Sequence, residues 1–84
     1  MKTKTVEQFV YILLCSDNKP YTACASDIQK RLEGHSNGYV PATKYRRPLN
    51  LITYISFTDR IKAFEFEKYL KSGSGRAFLK KRLL

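Results

Sequence analysis

No apolar run in the chain exceeds seven residues, Phe9 to Cys15, and a helix needs about 20 to cross a bilayer. A membrane-spanning role is therefore not expected. Cysteine is scarce: Cys15 and Cys24 stand alone, without partners at metal-binding spacing, which excludes a disulfide framework and a zinc site and leaves both as packing residues. The stretch from Lys2 to Gln8 is polar where a secretory leader would be apolar, so the expected setting is cytoplasmic, with reduced thiols. There is no long polar or repetitive tract, and with 43% hydrophobic and 13% aromatic residues the composition is globular rather than disordered.

Acidic residues are also few, seven against sixteen Lys and Arg, for a net charge of +9 over 84 residues. Such a field concentrates polyanions, nucleic acid first among them. A chain this short buries only about 60% of its unfolded surface, so one domain over residues 1–84 is expected, with no room for a second.

Phe9 to Cys15 is apolar on both alternating faces, which marks a strand at the centre of a sheet. Ser16 to Pro20 supplies turn chemistry, and Tyr21 to Ala25 reads as a strand returning antiparallel. Ser26 and Gln29 have capping-box spacing, opening a helix at about Asp27 that carries Ile28 and Leu32 on its core stripe and stops near His35. Asn37-Gly38 suits left-handed backbone beyond it. A loop to Pro48 precedes a third strand, Leu49 to Phe57, with Leu49, Leu51, Ile55 and Phe57 on one face and Ile52 and Tyr54 on the other. Asp59 caps a second helix over residues 60–71, Ser72-Gly73-Ser74-Gly75 closes it, and Arg76 to Leu84 forms a short basic helix. The class is α+β, order ββαβαα.

Glu67 lies one turn after Ala63, on the apolar side marked by Ala63, Phe66 and Leu70, where a carboxylate needs a cation, a metal or a pairing with Lys71. Glu65 points the other way and is free to be solvated. Arg31 and His35, four apart, share one helix face: either a fork for phosphate beside a titratable imidazole, or a solvated face with a helix-end histidine. Tyr11 and Tyr21 share a sheet face only if the turn between them is odd in length; with a loop of Asp17 to Lys19, Tyr11 opposes Ala25. Otherwise they are ordinary strand aromatics.

Taken in order, Val10-Tyr11-Ile12, Tyr21-Thr22-Ala23, the segment Asp27 to Gly38 with Arg31 and His35, Arg46-Arg47-Pro48-Leu49, and Ala63 through Glu67 to Lys71 resemble the GIY-YIG nuclease family. The likeness is to its small single-domain bacterial branch, related to the nuclease domain found in a bacterial excinuclease, and covers nearly the whole chain. It implies a three-stranded antiparallel sheet flanked by helices, with Tyr11, Tyr21, Arg31, His35 and Glu67 lining one sheet face. It further implies a metal-dependent endonuclease hydrolysing DNA phosphodiester bonds, with a divalent ion, Mg²⁺ or Mn²⁺, held by Glu67 and water. Arg31 would bind the phosphate, and Tyr11 or Tyr21, helped by His35, would activate the attacking water. Val10 and Ala23 stand where the family's name motifs carry glycine. The methyl of Ala23 is expected to crowd the backbone beside Tyr21, which makes a non-catalytic nucleic-acid-binding module the alternative.

Lys44, Arg46 and Arg47, interleaved with Tyr39 and Tyr45 and followed by Lys71 and Arg76, are the expected contacts to DNA, by phosphate pairing and base stacking. The expected partner is DNA, branched, nicked or damaged forms included as in repair, bound by a monomer or weak dimer without a small-molecule cofactor.

Overall fold

The computed structural model describes residues 7–84; the polar stretch from Lys2 lies outside them save for its last two residues. Strands β1 (Gln8–Leu14), β2 (Pro20–Ala25) and β3 (Asn50–Phe57) form an antiparallel sheet in the order β2-β1-β3. Helices α1 (Ile28–Ser36), α2 (Arg60–Leu70) and α3 (Gly73–Phe78) complete it, with a 3₁₀ turn at Lys44–Arg46 and a π-helical turn at Leu79–Leu83. The expected element order and the central place of the first strand both hold. β1 is apolar on both faces because each face is covered: Val10 and Ile12 pack with Ala63 and Leu70 of α2, Tyr11 and Leu13 with Ile28 and Leu32 of α1.

The β1–β2 turn differs in register from the expectation. Cys15 N–H donates to Lys19 O at 3.0 Å, so the loop is Ser16 to Asn18, one residue earlier than Asp17 to Lys19. Asn18 takes the left-handed position (φ 65°), the usual last residue of a three-residue hairpin loop and one that Asn tolerates well. Tyr11 consequently opposes Ala23, not Ala25, while Tyr21 opposes Leu13. The shift is two residues, an even number, so the two tyrosines still share a face.

Three further boundaries move for local reasons. Asp27 caps α1, accepting from Lys30 N–H at 3.1 Å, so the cap is one residue later than the Ser26 box. In β3 a bulge places Ile52 between the pairs Ile12–Thr53 and Leu13–Leu51. The extra residue reverses the side-chain alternation, so Leu51 shares the Tyr11 face and Leu49 packs there too, while Ile55 lies on the α2 side with Val10. Ser72 does not close α2 but opens α3, its hydroxyl accepting from Gly75 N–H at 3.2 Å. Gly75 is buried at this corner, where a Cβ would collide with the Tyr69 carbonyl oxygen.

Candidate active site

On the α1 face of the sheet, three side chains buried to within 1% of full enclosure form one hydrogen-bonded line: Tyr11, His35 and Thr43. The Tyr11 hydroxyl meets His35 Nε2 at 2.8 Å, and His35 Nδ1 meets Thr43 Oγ1 at 2.7 Å. The local fold explains each position. Tyr11 comes from the central strand, and His35 sits in the last turn of α1. Gly38, at φ 78°, then turns the chain back so that Thr43 arrives behind the imidazole. Thr43 precedes the 3₁₀ turn but makes no capping bond with its side chain, which leaves the hydroxyl for the histidine. His35 is therefore not part of a solvated helix face. A helix C-terminus favours a charged imidazole, yet burial, with the Arg31 charge adding to it, holds the His35 pKa below its ordinary value. The ring is kept neutral, and both its nitrogens are engaged.

Tyr21 packs edge-on against the same imidazole, ring centroids 5.4 Å apart, as does Tyr11 at 5.7 Å. Two phenols from one sheet face thus flank one histidine. Tyr11 is fully buried, and that burial raises its pKa; the positive charge of nearby Arg31 pulls partly the other way. Arg31 itself is exposed and lines an open groove of about 630 Å³ with Lys30, Cys24 and Tyr39. Ala23 directs its methyl into the cluster of Tyr11 and Leu13.

Glu67 is not on this face. α2 packs against the opposite side, and Glu67 reaches the β2 edge beside Cys24, whose thiol is pushed up to about 12 by burial and by the neighbouring carboxylate. Lys71 Nζ lies 2.7 Å from Glu67 Oε2, the i+4 pairing the sequence allowed, while Glu65 is exposed as expected. The five residues therefore straddle the edge strand rather than share one sheet face, because α1 and α2 cover opposite faces. Among the described residues no three His, Cys, Asp or Glu side chains cluster. One carboxylate at a solvated edge suits Mg²⁺ or Mn²⁺, hard ions that keep water and draw further ligands from substrate phosphate. It does not suit zinc, which takes three or four protein ligands.

The loop cations are less free than the sequence suggested. Arg46 pairs with Asp17 (Nε to Oδ2 2.9 Å) and donates to Lys19 O, while Arg47 donates to the carbonyls of Lys44 and Ser36. Both brace the loop that delivers Thr43. Lys44 lies over the Tyr45 ring, and Tyr39, Tyr45 and Arg76 are exposed. Thr43 does not stand out in the sequence: nothing in the pattern Ala42-Thr43-Lys44 distinguishes a buried threonine from a loop threonine.

The model of the GIY-YIG catalytic domain matches residues 7–82. The chain is 36% identical over 75 residues to a UPF0213 protein of Staphylococcus saprophyticus, covering 88% of this chain and 92% of that one. It is 36% identical over 69 residues to the UPF0213 protein YazA of Bacillus subtilis, covering 81% and 70%. The solution structure of a UPF0213 protein from Bacillus halodurans superposes with a TM-score of 0.58 at 28% identity, over 89% of this chain and 83% of that one. The chain belongs to the GIY-YIG nuclease family, among small bacterial relatives, and shares its fold with the one from Bacillus halodurans. Among the described residues no helix is long and apolar enough to cross a membrane.

Proposed function

We propose that the chain is a metal-dependent endonuclease that hydrolyses DNA phosphodiester bonds at the β2 edge. The observation that carries this reading is the buried Tyr11–His35 contact of 2.8 Å with Arg31 beside the phenol. Neither ring nitrogen of His35 is free to touch substrate, so His35 acts on the reaction through Tyr11. Arg31 turns from the Tyr11 oxygen to the scissile phosphate, which neutralises charge on the phosphate and opens the phenol to the groove. Tyr11 then takes a proton from the attacking water as its own passes to His35, while the half-buried Tyr21 orients that water. A phenol is a weak base at its ordinary pKa of about 10, and nearby positive charge must lower it. Glu67 would hold the divalent ion, and Lys71 gives up the carboxylate to pair with phosphate. When bound, the ion supplies charge stabilisation at the leaving oxygen. Lys44 and Arg76, with Tyr39 and Tyr45, provide backbone and base contacts.

Two observations favour a second reading, a non-catalytic DNA-binding module: the Tyr11 hydroxyl is fully enclosed, and Glu67 is already paired with Lys71. The two readings separate in a cleavage panel of single-stranded, duplex, nicked and forked DNA with Mg²⁺ or Mn²⁺. Metal-dependent cutting lost in Glu67→Ala and in Tyr11→Phe establishes the nuclease. Binding without cutting by all three proteins establishes the module.

A further inference from the structure

The direction of the hydrogen bonds through Tyr11, His35 and Thr43 follows from which hydroxyl is the better donor. The Tyr11 hydroxyl is fully buried and has one hydrogen-bond partner, His35 Nε2 at 2.8 Å. Either tautomer leaves one enclosed O–H without an acceptor among the described residues, that of Tyr11 or that of Thr43, so hydrogen-bond strength decides: a phenol is a stronger donor and a weaker acceptor than an aliphatic hydroxyl. Nε2 is therefore the acceptor. A neutral imidazole then carries its proton on Nδ1, and the group that receives it is Thr43 Oγ1 at 2.7 Å.

We infer that Thr43 is a positioning residue: it accepts from His35 Nδ1–H, fixes the ring's tautomer and orientation, and keeps Nε2 open to receive the proton of Tyr11. The donors run in one direction, from Tyr11 to His35 to Thr43. The bond order explains why a threonine is buried there. Valine has the same shape but cannot accept, whereas serine keeps the hydroxyl. When the Tyr11 proton moves to Nε2, His35 becomes an imidazolium still tied to Thr43, so the ring need not turn during the transfer. The catalytic part of this inference rests on the proposed nuclease reading; the direction of the bonds does not.

The test uses the full chain labelled with ¹⁵N at histidine, of which it has one. Long-range ¹H–¹⁵N spectra of wild type, Thr43→Val and Thr43→Ser report which ring nitrogen carries the proton and how fast it exchanges. The expected result is a proton on Nδ1 with slow exchange in wild type and Thr43→Ser, and fast exchange or loss of that state in Thr43→Val. Backbone amide spectra verify that each variant is folded. A wild-type proton on Nε2, or an Nδ1 proton equally long-lived in Thr43→Val, overturns the inference. On DNA, Thr43→Val is expected to lower kcat about 10- to 100-fold with KM unchanged, the size found for supporting contacts to metal-ligating histidines, and Thr43→Ser to restore it. Loss of kcat in both variants alike overturns the positioning role. If wild type cuts nothing, the nuclease reading fails, and the spectra still decide the direction of the bonds.

Discussion

Glu67 of α2 and Lys71 at its C-cap meet at 2.7 Å, with 21% of the carboxylate side chain and 55% of the lysine side chain exposed. This ion pair engages the residue proposed to hold the metal. A solvated pair contributes at most about 1 kcal/mol, which is roughly a five-fold change in an equilibrium. Lys71→Met is accordingly expected to tighten Mn²⁺ binding a few-fold in calorimetry, and Glu67→Gln to abolish it. Unchanged Mn²⁺ affinity in Glu67→Gln would place the ion elsewhere.

Stability should depend on pH through His35 and Tyr11 in separate windows. Folding depresses the His35 pKa from 6.5, so the unfolded chain takes up the proton first as pH falls. The contribution of neutral His35 is complete above about pH 6.5 and declines below it as pH falls toward the lower folded value. Folding raises the Tyr11 pKa from 10.0, so its contribution is complete below that value and is lost as pH rises through it. Thermal melts by circular dichroism are expected to show both limbs, with His35→Gln flattening the acid one and Tyr11→Phe the alkaline one. An acid limb unchanged in His35→Gln would mean that other groups control it.

Gly75 and Gly73 lie two residues apart in the same helical turn and predict opposite outcomes. A methyl at Gly75 strikes the Tyr69 carbonyl, whereas one at Gly73 meets nothing within 4 Å. Gly75→Ala should lose about 3 kcal/mol in urea unfolding, the upper range for overpacking. Gly73→Ala should be neutral or gain up to about 1 kcal/mol. Equal effects would show that the corner between α2 and α3 relaxes more than its packing suggests.

Ala23 offers a direct check on the glycine missing from the second triad. Its methyl fills the cluster with Tyr11 and Leu13. Ala23→Gly should therefore cost about 1 kcal/mol of stability and leave cutting little changed. A large gain in cleavage would mean instead that the methyl restrains the site.

What was legible in the sequence was local and periodic. The buried central strand, the helix-face pairing of Arg31 with His35, the apolar side of α2 and the shared parity of Tyr11 and Tyr21 all follow from repeats of two or about 3.6 residues. The departures are single-residue events that such repeats do not record. Asn18 moved the turn, Ile52 entered as a bulge and carried Leu51 to the other face, and Ser72 began a helix instead of ending one. Thr43 was invisible for another reason: its partner is eight residues away across a loop, and only the folded path of that loop brings the two together. Glu67 was placed on the right helix side, but which sheet face the helix covers depends on topology rather than on its own pattern.

The Arg46–Asp17 pair joins the β1–β2 turn to the loop that supplies Thr43, and a main-chain bond from Ser16 N to Arg46 O at 2.9 Å runs alongside it. This clasp is solvent-exposed, so added electrolyte screens it just as it screens DNA phosphates. Ionic strength therefore has two points of action, one on complex formation and one on how firmly His35 is backed. In a nuclease built this way, turnover on fully bound substrate should itself decline with salt, and Asp17→Asn should remove that second dependence while leaving the binding slope in place.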